Sequence, residues 1–145
     1  MLRVINTIAV MAITLSVVGC EMINEELPTY EATSIVECYD QAPDFTTTLL
    51  SGQSITLSEL RGEIVLLIFF SHTCPDCKAL LDDIKASTAE FEELGVRILA
   101  IAREGTVHEI EEYVATNSYC FDTAIDNNRA IYNLYATMYV PRCYV

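Results

Sequence analysis

Ser71-His72-Thr73-Cys74-Pro75-Asp76-Cys77-Lys78 is the stretch whose residue types and spacing can do chemistry. Two cysteines separated by two residues at the start of a helix can close a small disulfide and open it again. Cys74 falls where unpaired backbone N–H groups and the helix dipole favour a thiolate, which makes it the nucleophile. Cys77, one turn further in, is placed to be buried and to resolve a mixed disulfide. Pro75 suits the first helical position. A lone CxxC is a weak signal, but one that joins a buried strand to an amphipathic helix in an exported chain is strong.

The flanking sequence supplies those elements. Ile64-Val65-Leu66-Leu67-Ile68-Phe69-Phe70 is wholly apolar, as in a strand covered on both faces of a parallel sheet. Residues 75–94 read as one helix, with Leu81, Ile84, Thr88 and Phe91 at helical spacing and Gly95 as the stop. Residues 96–102 (VRILAIA) read as a second buried strand. Thr106-x-x-Glu109 has the form of a capping box, before a helix whose face is Val107, Ile110 and Val114. Residues 120–126 read as a strand, Ile131, Leu134, Tyr135 and Met138 as a helix, and residues 140–145 as a last strand. Upstream, residues 45–50 and 53–57 flank Ser51-Gly52 as a β-hairpin. Strands alternating with helices define an α/β domain with parallel pairing.

The N-terminus sets the compartment. Met1-Leu2-Arg3 is followed by an uncharged, mostly apolar run from Val4 to Gly19, shorter than the ~20 residues of a spanning helix. Its end, Val17-Val18-Gly19-Cys20, resembles the bacterial lipobox, which implies a signal peptide over 1–19 and lipidation of Cys20. Such a signal carries the chain across a membrane, where disulfides persist and six cysteines in 145 residues make sense. Residues 20–41 read as an acidic tether and 42–145 as the domain. Without Arg3 the balance is seven basic against 21 acidic residues, a net charge of −14. A surface that negative repels phosphate backbones, so no nucleic-acid partner is expected.

Taken together, APDF at 42–45, the hairpin with LSELRGE, LLIFFSHTCPDCK, VRILAIA and IYNLYATMYVPRCYV resemble the thioredoxin-like group of membrane-anchored TlpA and cytochrome-maturation thiol reductases, a branch of the AhpC/TSA-redoxin superfamily. The resemblance covers residues 43–145, in the family's order. It implies a thioredoxin fold: an N-terminal β-hairpin, then a central mixed sheet flanked by helices. It also implies thiol–disulfide exchange, in the reducing direction, through Cys74 and Cys77. Pro141 takes the place of the family's cis-proline facing the CxxC, and Val140 that of the residue offering backbone contacts to a substrate strand. Protein disulfide substrates, an unidentified thiol electron donor and the membrane follow as partners, the bacterial cell envelope as location, and no cofactor. The family continues past the cis-proline strand with another strand and a helix, whereas this sequence ends at Val145. A form lacking the last hairpin strand and the C-terminal helix is therefore expected.

The sequence also departs from the family. Thr73 stands where Trp is frequent, Ile68 where thioredoxins bury an Asp, and Leu80 where several relatives place a Glu, so no acid is identified for Cys77. Asp76 adds negative charge that opposes the helix dipole. Other readings of the site are an inert bridge, a metal site through His72, and a peroxiredoxin-like peroxidase. Zinc needs four ligands and no second CxxC or HxxxH exists. In the peroxidatic frame, counted back from Cys74, Ser71 fits but Leu67 replaces proline; counted from Cys77, Cys74 and Phe70 both fail. Haem attachment needs His after the second Cys, where Lys78 stands. His72 reads as a partly exposed loop residue and His108 as surface. A Cys38–Cys120 bridge stays open, and Cys143 reads as a small core residue.

Overall fold

The computed structural model describes residues 27–145. The signal peptide and Cys20 lie outside these residues. Their centre is a four-stranded sheet in the order β5-β4-β3-β6. Strands β3 (Ile64–Phe70), β4 (Val96–Ala102) and β5 (Asp122–Ile125) are parallel, and β6 (Arg142–Tyr144) runs antiparallel to β3. The sheet is thus mixed, as expected.

The apolar runs of β3 and β4 divide by strict alternation. Leu67, Phe69, Leu99 and Ile101 enter one core with Phe45, Leu49, Ile55, Tyr132 and Tyr135. Ile68, Phe70, Ile98 and Ala100 enter the other with Cys77, Leu81, Ile84 and Ile110. A central strand buried on both faces has no polar position to offer, which is why these runs carry none.

The hairpin β1 (Thr46–Thr48) and β2 (Ser54–Thr56) turns through Gly52 at φ 86°. It caps the β5 edge: Leu50 N–H donates to Thr123 O at 2.8 Å, and Leu49 pairs with Ala124. Among the described residues, no strand pairs with the outer edge of β6.

The expected helix 75–94 is two helices, α1 (Pro75–Ala86) and α2 (Thr88–Glu93), parted at Ser87. Ser87 has φ −102° and ψ 10°, and Thr88 Oγ1 donates back to Ile84 O at 3.2 Å. Hydroxyl residues that bond the preceding turn compete with helix continuation. The capping box is formed: Glu109 N–H donates to Thr106 Oγ1, and Thr106 N–H to Glu109 Oε2, at the start of α3 (Val107–Asn117). The helix expected near residues 131–138 is only α4 (Tyr132–Tyr135). Asp126 Oδ2 accepts from the Ile131 and Tyr132 N–H groups and starts it.

A segment that reads as tether ends it. Ile35 and Val36 N–H donate to Tyr135 O, Thr137 N–H donates to Thr33 O, and Ala136 turns extended to pair with Ser34. Residues 30–36 of the stretch that reads as an acidic tether thus dock on the domain. The anchor is Arg142, fully buried behind the β6 strand start. Its guanidinium donates to Ser34 Oγ at 2.6 Å, to Met138 O at 2.9 Å and to Thr33 Oγ1, and lies 3.5 Å from the Tyr30 ring centroid. The six acidic residues of 21–41 hid this contact, because its partners are hydroxyls, carbonyls and a ring.

Candidate functional site

Strand β3 ends at Phe70, and the chain turns through Ser71-His72-Thr73 into Cys74, the N-cap of α1. Cys74 is extended, at φ −90° and ψ 119°, with Pro75 behind it, so its thiol lies at the open end of the helix. It is partly exposed, while Cys77 is fully buried. Both are thiols here, as are Cys38, Cys120 and Cys143. The same turn that exposes Cys74 rotates Cys77 beneath the helix, against Ile68 and Phe70.

Burial dominates the chemistry of Cys77. It pushes the thiol up from 9.0 to about 12, the neighbouring Cys74 adding to the shift and the Ser71 N–H opposing it from 3.5 Å. A desolvated thiolate is costly, so Cys77 holds its proton near neutral pH.

The loop before β6 faces the pair. The Val140–Pro141 peptide is cis, and Cys74 Sγ lies 3.8 Å from Val140 O. The structure thus brings Cys74, Cys77, Val140 and Pro141 together. His72 is partly exposed, though its Nδ1 is buried with no hydrogen-bond partner among the described residues. His108 is exposed. Cys38 and Cys120 are exposed, unbridged thiols. Cys143 pairs with Ile68 but is exposed rather than in the core, because β6 is the short edge strand of the sheet.

Five polar residues complete the site unforeseen. Ser71 Oγ donates to Glu104 Oε1 at 2.6 Å and accepts from Thr73 Oγ1 at 2.9 Å. Arg129 Nη2 donates to Glu104 Oε2 at 3.0 Å. The Ser71 bond, then the charge of Arg103 and the bond from Arg129, hold the Glu104 carboxyl below its ordinary range against the opposing desolvation. Arg103 lies 5.3 Å from the Tyr132 ring centroid. With Cys74 and residues 137–140 these five line an open cleft of about 420 Å³. A signal for two of them existed. Phe70 pairs with Ala102, so Ser71 and Arg103 leave the carboxyl ends of adjacent parallel strands, where open α/β sheets place their ligands.

This arrangement of sheet, CxxC helix and cis-proline loop defines a thioredoxin-like fold. The thioredoxin domain of a thiol-disulfide oxidoreductase from Bacteroides vulgatus superposes with a TM-score of 0.67 at 17% identity, covering 74% of this chain and 79% of that one. A secreted disulfide oxidoreductase of Mycobacterium tuberculosis, homologous to E. coli DsbE, is 26% identical with a TM-score of 0.55, covering 61% of this chain and 64% of that one. The AhpC/TSA family pattern matches residues 38–144, and the chain belongs to that family. The thiol-disulfide oxidoreductase ResA of Oceanobacillus iheyensis is 30% identical over 109 residues, 72% of this chain and 57% of that protein. ResA of Bacillus cereus is 28% identical over 105 residues, 72% of this chain and 61% of that protein. The chain therefore spans about three fifths of the length of these curated relatives.

Proposed function

We propose that this protein is a membrane-anchored thiol–disulfide oxidoreductase that reduces protein disulfides through Cys74 and Cys77. The observation that carries the reading is the contrast between the two thiols on one helical turn: Cys74 open to the cleft, Cys77 buried and protonated. In the proposed cycle, the Cys74 thiolate attacks one sulfur of a substrate disulfide. The substrate S–S bond breaks, and the departing sulfur takes a proton. Cys77 then releases its proton and attacks Cys74 Sγ, which frees the second substrate thiol and forms the Cys74–Cys77 disulfide. Two electrons and two protons pass to the substrate, and an outside thiol donor restores the dithiol.

Burial supports the order. Of the pair, only Cys74 is within reach of a client. The reducing direction rests on the resemblance to membrane-anchored thiol reductases. Val140 and Pro141 flank Cys74 and suit a backbone contact with an extended substrate segment. The N-terminal sequence supports a lipid on Cys20 and a place in the bacterial cell envelope, and one relative in structure is itself a secreted oxidoreductase. Loss of Cys20 should release the processed protein from membranes.

Trapping tests the roles. Cys77→Ser should accumulate mixed disulfides between Cys74 and client proteins, seen as reductant-sensitive adducts on non-reducing gels. Cys74→Ser should accumulate none. Equal trapping by both variants, or the reverse pattern, contradicts the assignment.

A further inference from the structure

The cleft beside Cys74 carries a charge opposite to that of the chain around it. Downstream of Cys20 there are 21 acidic residues and only seven basic ones. Two of those seven, Arg103 and Arg129, line the cleft with Cys74, and Glu104 is its one carboxylate. Glu104 is already engaged, by Ser71 at 2.6 Å and Arg129 at 3.0 Å. Arg103 is left over: its Nε is buried with no hydrogen-bond partner among the described residues, and its guanidinium rests 5.3 Å from the Tyr132 ring centroid. A desolvated donor without an acceptor is costly, and a guanidinium meets a carboxylate with paired hydrogen bonds.

We infer that Arg103 and Arg129 form a carboxylate-recognising subsite beside Cys74, and that the disulfides reduced here carry an acidic group next to the attacked sulfur. The inference rests on the exchange reading above. The carboxylate comes either from an acidic residue flanking a client cysteine or from a small acidic thiol. Binding there sets the substrate sulfur over Cys74 while leaving the electron balance of the exchange unchanged. Glu104 acts as the counterweight: by pairing with Arg129 it limits how strongly an anion is held.

Single-turnover kinetics of the pre-reduced full chain test this without any electron donor. The probes are glutathione disulfide, neutral 2-hydroxyethyl disulfide and cationic cystamine. A second set comprises peptide disulfides identical except for Glu, Gln or Lys beside the cysteine. Each rate is divided by that of dithiothreitol with the same probe, which removes leaving-group differences. Ionic strength is held near ~0.15 M to screen the repulsion between the acidic chain and anionic probes.

The expected result is a preference of about five- to tenfold for the anionic over the neutral probe, and a penalty for the cationic one. Preference in the glutathione arm alone assigns the carboxylate to a small thiol; preference in the peptide arm also assigns it to clients. Arg129→Gln should reduce the ratio and the Arg103→Gln/Arg129→Gln pair should bring it near one. Glu104→Gln should raise it severalfold, a direction that general disturbance of the site would not give. Equal normalised rates in the native protein, or a ratio that Glu104→Gln lowers, would overturn the subsite while leaving the exchange reading intact. No reaction with any probe would overturn the exchange reading, and the subsite with it.

Discussion

Cys74 and Cys77 stand three residues apart and live in different surroundings. The helix start keeps the first at the cleft, and the second packs among Ile68, Phe70 and Leu81. That contrast has a pH consequence. The folded state holds the Cys77 proton up to about pH 12, whereas an ordinary thiol loses it near 9.0. The dithiol form thus has this contribution in full below pH 9, and loses it as pH rises from 9 towards 12. Urea midpoints of the reduced protein should fall across that window, and Cys77→Ala should flatten the fall. A midpoint indifferent to pH up to 11 would mean that Cys77 is not desolvated as described. Both thiols were legible from their spacing together with the apolar strand before them and the helix after them. Glu104 and its link to Ser71 were not, because a contact across 33 residues leaves no periodic trace.

Among the elements, those with a one-sided or two-sided apolar period were readable, and those ended by a distant partner were not. Strands β3 and β4 and the capping box lie where the sequence places them. The helix around α4 stops short because residues 33–36 capture the chain at Tyr135 and Ala136. Arg142 secures that capture from the strand after Pro141, so the N-terminal segment braces the loop that faces Cys74. Replacing it with Met would leave Thr33, Ser34 and two carbonyls without their donor. Arg142→Met should cost ~2–4 kcal/mol in chemical unfolding. Amide exchange should show Ile35, Val36 and Thr137 losing protection while β3 and β4 keep theirs. Unchanged protection at those three amides would show that the segment docks without Arg142.

Across the whole molecule, hydrophobic burial and chemistry are segregated. Two apolar cores fill the faces of one sheet, and the polar site gathers where its parallel strands end. The sequence carried the first part almost completely, since a sheet covered on both faces writes itself as uninterrupted apolar runs. It carried the second through the CxxC and, by resemblance, through Val140 and Pro141. The cleft's charges come from two loops, and an acidic chain conceals two arginines that only folding brings together. Most of the surface charge says nothing about the site. Membership of the AhpC/TSA family does not decide between exchange and peroxide chemistry, and the sequence around Cys74 and the setting of Cys77 favour exchange.

The most direct test is a redox titration of the full chain in thiol buffers of graded potential. Alkylation and mass analysis of the fragment holding residues 71–78 would report the state of the pair. One two-electron transition confined to Cys74 and Cys77 is expected, with a midpoint at the ~−270 mV of thioredoxin. A midpoint near ~−120 mV would make the protein an oxidant and contradict the proposed direction. If no disulfide joins Cys74 and Cys77 at any potential, the central claim fails.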